Sequence, residues 1–203
     1  MRENLYKIKF MKKAILSAAV AFLAITGANA QTEFGIKGGL NASTLSVEGS
    51  NSSKIKSLFG ANGGFFASIP ASKNFFVQPE LAFSMEGARF ENSAGGTTEQ
   101  RINLINLPIM FKYVTNSGFF VEAGPQVGLI ISAKQKTGSV ETNFEDNINS
   151  ANLAAGGGVG FKLGEALGVG ARYMFGVRNV SKIGGARTNI NNASLNLFYT
   201  FGR

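Results

Sequence analysis

The sequence contains no histidine, no cysteine and no tryptophan, and only four prolines among 203 residues. Each absence removes a class of chemistry. Without histidine there is no Ser-His-Asp triad, no imidazole general base and no histidine metal ligand. Without cysteine there is no disulfide framework, no thiolate nucleophile, no cysteine-type zinc site and no lipid-modified N-terminal cysteine. Charge is scarce too: charged residues make up 16 %, where roughly 25 % is usual for a soluble domain. No apolar run reaches the roughly 18 residues of a membrane helix. Glycine (26 residues) and phenylalanine (18 residues) are abundant instead. Such a chain reads as an all-β protein of one domain.

The formal charge of +8 invites a nucleic-acid reading that the N-terminus removes. Arg2, Lys7, Lys9, Lys12 and Lys13 crowd the first thirteen residues, with Glu3 the only acid. Residues 14–26 then run apolar or small without a charge, and Ala28-Asn29-Ala30 puts small residues at both cleavage-determining positions. A basic head, a short apolar stretch and A-x-A are the parts of a secretory signal peptide, so we expect residues 1–30 to be a leader cut after Ala30. The remaining chain, 31–203, holds 15 basic and 11 acidic residues, a net charge of +4. No nucleic-acid partner is expected.

From Glu33 onward no i, i+3, i+4 apolar stripe is sustained, and short alternating runs predict strands. Eight are expected, near 33–42, 58–69, 74–86, 101–114, 119–132, 151–163, 166–176 and 193–202. Their connections alternate between long polar segments (42–56, 87–100, 132–150, 177–192) and tight turns (70–73, 116–118, 164–165). Long loops at one end and turns at the other are the signature of an antiparallel up-and-down transmembrane β-barrel. The strand charges Lys37, Glu80, Glu86, Lys112, Glu122, Lys162 and Arg172 share one face, opposite the apolar residues. A Lys or Arg facing lipid at mid-membrane costs roughly 2–4 kcal/mol, so the charged face is expected to point into the lumen. Phe34, Phe75, Tyr113, Phe119, Phe161 and Phe201 then fall outward near the tight-turn end, where an interfacial aromatic girdle belongs. Pro79, Pro108 and Pro125 lie inside strands. There proline removes a ladder hydrogen bond, which predicts bulges or locally open pairing.

Four segments carry a family resemblance: Gly35-Ile36-Lys37-Gly38-Gly39-Leu40-Asn41, Val77-Gln78-Pro79-Glu80-Leu81, the run from Asn106-Leu107-Pro108 to Lys112-Tyr113, and Glu122-Ala123-Gly124-Pro125. In order and spacing they resemble the outer-membrane protein β-barrel domain family, the small porin-type and PorT-type barrels. The resemblance implies an eight-stranded barrel in the outer membrane of a Gram-negative bacterium and prolines at these in-strand positions. It also implies lipid and the barrel-assembly machinery as partners. Leu195, Leu197, Tyr199 and Phe201 supply the alternating C-terminal apolar residues such machinery reads, although Gly202-Arg203 follow and Asn196 replaces the usual Gly.

The candidate site is the inward charge cluster Lys37, Glu80, Lys112, Glu122 and Arg172. A three-residue turn at Asn116-Ser117-Gly118, with Gly118 left-handed, would make Lys112 and Glu122 cross-strand partners. Glu80 would flank Lys112 on the other side, with Arg172 or Lys37 reaching in. Eight strands enclose just enough room for their own side chains, so the cluster reads as a plug of mutually paired charges. The alternative is a proton or small-ion path. No catalytic residue, metal site or cofactor is expected. Three roles follow: an envelope scaffold whose four long loops meet an unidentified partner, a narrow channel or translocation component, and a soluble lipocalin-like barrel with its faces reversed.

Overall fold

Period-two alternation gives each segment two unlike faces, and a sheet that closes on itself sends one face inward and the other outward. A computed structural model of the chain describes residues 32–47, 55–91, 96–181 and 187–201. Within them the strands are β1 (Glu33–Val47), β2 (Ile55–Pro70), β3 (Phe75–Glu91), β4 (Thr97–Val114), β5 (Phe119–Thr137), β6 (Val140–Asn143), β7 (Ala151–Lys162), β8 (Leu167–Gly176) and β9 (Thr188–Thr200). Eight of them pair antiparallel in a ring, in chain order, which β1 and β9 close. β6 stands outside the ring and folds back only onto the end of β5. The expected eight-stranded up-and-down barrel is the fold found. The leader expected over residues 1–30, with its cleavage positions Ala28 and Ala30, lies outside the described residues.

The apolar face points outward. Leu40 is 69 % exposed and Leu197 65 %. Phe34, Phe75, Tyr113, Phe119, Phe161 and Phe201 are all outward and exposed near the tight-turn end. The outward apolar band on β3 runs from Phe75 to Met85. Ten residue steps rise about 33 Å along a strand, which at a tilt of roughly 40° spans about 25 Å, the height of a lipid-facing band.

The strands run on well past the expected ends, and the reason is an inversion of polarity. On β3 the inward residues Gln78, Glu80, Ser84 and Glu86 give way to Ala88 and Phe90, while outward Phe83 and Met85 give way to Arg89 and Glu91. On β4, inward Lys112 and Asn106 give way to Leu104 and Ile102, and outward Ile109 and Ile105 to Asn103 and Arg101. β9 changes from inward Asn192 to Ile190 and β1 from Ser43 to Leu45. Alternation thus continues with its phase reversed. A reading that follows one apolar face meets this point as the end of the strand. The outer segments form an apolar core of Leu45, Ile102, Leu104, Ile130 and Ile190. Ile148 and Val180, from the connections between strands, join it.

The prolines open the ladder without shifting it. Pro79 pairs with Ile109 on β4, but pairing with β2 lapses between Phe66↔Glu80 and Ile69↔Val77. Pro108 pairs with Gln126, and the β3–β4 ladder lapses between Pro79↔Ile109 and Ala82↔Asn106. Pro125 pairs with Ala155, and the β4–β5 ladder lapses between Pro108↔Gln126 and Phe111↔Ala123. Each gap lies on the side of the preceding strand, where the missing N–H would have donated. Register shifts occur elsewhere, between Ser57 and Asn62 on β2 and near Asn103 and Leu104 on β4.

Candidate functional site: the layered lumen

The lumen fills in layers, beginning at the end with the tight turns. There the β4–β5 hairpin sets the register. Gly118 takes a φ of 88°, a left-handed conformation that a side chain disfavours. Its N–H donates to the Thr115 carbonyl at 3.0 Å, while the Thr115 N–H donates to the Phe119 carbonyl at 2.8 Å. That geometry brings Lys112 opposite Glu122.

Three inward rings form the first layer. Phe198 packs edge-on against Phe66 and Phe120, with centroids 6.1 and 5.8 Å apart. Glycines give these rings their space: a Cβ on Gly168 would lie 2.0 Å from the Phe198 ring, and one on Gly160 2.3 Å from Phe120. The Lys112 ammonium sits 4.2 Å from the Phe120 centroid and 5.2 Å from that of Phe198. Desolvated cation–π contacts of this kind contribute about 2 kcal/mol. Sequence reasoning missed this layer, though its signal is present. Phe120 and Phe198 have the parity of the lumenal residues Glu122 and Asn196, opposite to that of the lipid-facing phenylalanines.

The ionic layer lies above it, and Arg172 is its hub. The guanidinium forks onto Glu80, Nη1 to Oε2 and Nη2 to Oε1 at 2.8 Å each, and Nε donates to Glu122 Oε1 at 2.7 Å. Lys37 also donates to Glu80. Lys112 donates to Gln78 Oε1 at 2.8 Å and lies 3.6 Å from Glu122 Oε2. Gln78 in turn donates to Glu80 Oε1 at 2.8 Å. All five predicted residues therefore meet, but in a different order from the one expected. Glu80 does not flank Lys112 directly; Gln78 stands between them. The planar Arg172 fork, which matches a carboxylate in a way an ammonium cannot, bridges the two glutamates instead. Every one of these charged side chains is at least nine-tenths buried.

Amides form the third layer. Asn62 donates to Asn41 Oδ1 at 2.6 Å, Asn41 to Ser84 Oγ at 2.8 Å, and Ser84 to Glu86 Oε1 at 2.8 Å. Asn106 reaches the same Glu86 oxygen at 3.2 Å. The apolar core then closes the outer end. Two voids beside the aromatic and ionic layers measure about 20 Å³ each, room for about one water apiece.

A charged, amide-lined interior inside an apolar wall with tight turns at one end is the organisation of a bacterial outer-membrane barrel. The sequence pattern of the outer membrane protein beta-barrel domain matches residues 29–182. The chain belongs to that family. Its place is accordingly the outer membrane, and the tight turns mark the periplasmic end of such barrels. Among solved structures, Neisserial surface protein A is similar at a TM-score of 0.55 with 12 % identity, over 83 % of this chain and 97 % of that one. Ail, the attachment invasion locus protein of Yersinia pestis, is similar at 0.50 with 18 % identity, over 83 % and 98 %. At these identities the likeness is one of fold. No curated protein matches the chain by sequence. With the family established, the lipocalin-like reading, which needs apolar residues inside throughout, describes only the barrel's outer segment.

Proposed function

We infer that this outer-membrane barrel is a non-enzymatic envelope scaffold, with a sealed lumen and its interacting surface at the extracellular end. The observation that carries the reading is the stacking of aromatic, ionic, amide and apolar layers, with two one-water voids beside the aromatic and ionic layers. Both glutamates of that layer are engaged by cations, so neither is placed to act as a free acid or base. Export fits a leader cleaved after Ala30. Assembly fits Leu195, Leu197, Tyr199 and Phe201, which lie exposed on the outer face of β9 and just beyond it. The partner would meet the four extracellular connections and the wall that β3–β6 raise above the membrane.

Single-channel recording of the refolded protein in planar bilayers tests the reading. A scaffold gives no steady conductance. Steady openings abolished by Lys112→Ala or Glu122→Ala would establish the rival, a narrow channel or translocation component gated by the ionic layer.

A further inference from the structure

Above the apolar core, at the outer mouth of the barrel, lies a partly enclosed cup of about 290 Å³. Leu45, Phe90, Ile102, Phe144 and Val180 are among its apolar lining residues. Protein interiors are close-packed and rarely keep voids larger than a water molecule. Where the described residues leave such a lining unfilled, its apolar atoms forfeit dispersion contacts. A fold that maintains one is suited to a molecule that fills it.

The lining is also selective in charge. None of the twelve described residues around the cup is ionisable. Yet the same strands carry Arg89, Glu99, Arg101 and Lys134 at this height, all exposed or paired on the outer surface. The cup's polar lining is Asn147, Ser181, Thr188 and a cross-strand amide pair. Gln100 Nε2 donates to Gln135 Oε1 at 3.0 Å, which leaves the Gln100 carbonyl oxygen as an acceptor and the Gln135 amide as a donor. A hydroxyl answers both, because it donates and accepts. The floor is closed, since Ile102, Ile148 and Val180 are buried members of the core below. A molecule entering the cup docks there and goes no further.

We propose that the cup is a binding site for a small uncharged alcohol or phenol, its apolar body on the core residues and its hydroxyl on Gln100 and Gln135. Scaled from a 150 Å³ apolar cavity that takes benzene, the space suits roughly eight to twelve non-hydrogen atoms. The site adds to the scaffold reading without resting on it, since docking in a closed cup needs neither a loop partner nor a sealed ionic layer.

The test is a titration of the full barrel in lipid nanodiscs with 4-ethylphenol, read by NMR of ¹³C-labelled isoleucine methyls. Ile102 and Ile148 report the cup, while Ile36 and Ile109 face lipid. Saturable shifts at Ile102 and Ile148, against a linear drift at Ile36 and Ile109, are expected. Gln135→Glu, which places a charge in the cup, should weaken binding at least tenfold. If that variant does not fold, Gln100→Leu should weaken 4-ethylphenol about tenfold while leaving ethylbenzene unchanged. Cup methyls that move only in proportion to the lipid-facing ones would overturn the proposal. So would a folded Gln135→Glu variant that titrates like the wild type. Bilayer recordings judge the scaffold reading separately, so either conclusion can fail alone.

Discussion

Below Met85 and Ile105 this barrel is inside out, with apolar residues on its surface and polar ones in its centre; above them it is built like a soluble protein. The same strands do both. β3 presents Phe83 outward and Glu86 inward, then Arg89 outward and Phe90 inward. β4, β1 and β9 change over at the matching level. Lipid solvates the lower wall, so the polar lumen must satisfy itself through ion pairs and amide chains. Water solvates the upper wall, so ordinary hydrophobic burial takes over. The phase of the alternation, rather than its presence, locates the membrane surface.

The comparison can be broken most forcefully in the lower interior. Arg172→Ala leaves Glu80 and Glu122 buried with their principal cation gone, and removing one member of a buried ion pair costs about 3–5 kcal/mol. Denaturant unfolding from lipid vesicles should show a loss of that size. A loss under about 1 kcal/mol would mean that the charges are hydrated instead of mutually paired.

A paired experiment sharpens it on the outer wall. Ile109→Arg, at the middle of the apolar band on β4, should cost about 2–4 kcal/mol. Asn103→Arg, outward on the same strand but above the changeover, should stay within about 0.5 kcal/mol. Equal effects at the two sites would place the membrane surface elsewhere.

The smallest effect belongs to the upper surface. Glu99 accepts from Arg89 at 2.6 Å and from Arg101 at 2.9 Å. These hydrogen bonds hold its carboxyl below the usual range, Arg89 first and Arg101 second. A carboxylate with a depressed folded pKa stabilises above its unfolded value, about 4.3, and loses that contribution as pH falls through the folded value. Wild type should therefore exceed Glu99→Gln by no more than about 1 kcal/mol near neutral pH. The gap should close as pH drops below about 4 and narrow with added salt.

Much of the lower half was legible because local rules decide it. The Asn116-Ser117-Gly118 turn placed Lys112 opposite Glu122. A single choice of face oriented Lys37, Glu80, Lys112, Glu122 and Arg172 together. What escaped depends on closure or on a change of solvent. Arg172 and Glu80 are 92 residues apart, and no local pattern ranks Arg172 above Lys112 as the partner of Glu80. The ends of β1, β3, β4 and β5 were missed because the apolar face changes sides at the membrane surface. β6 was missed because a four-residue strand with both faces exposed carries no periodic signal.

The three proline gaps acquire a mechanical meaning beside the ionic layer. They fall in three adjoining seams, β2–β3, β3–β4 and β4–β5, close to the level of Gln78, Glu80 and Lys112. A barrel wall normally holds its girth as a hoop does, by unbroken hydrogen bonds around the circumference. Here part of the hoop is slack, and the tension passes to spokes. Lys37, Glu80, Lys112, Glu122 and Arg172 reach across the axis from β1, β3, β4, β5 and β8, fastening five of the eight staves at the height where their edges are least joined.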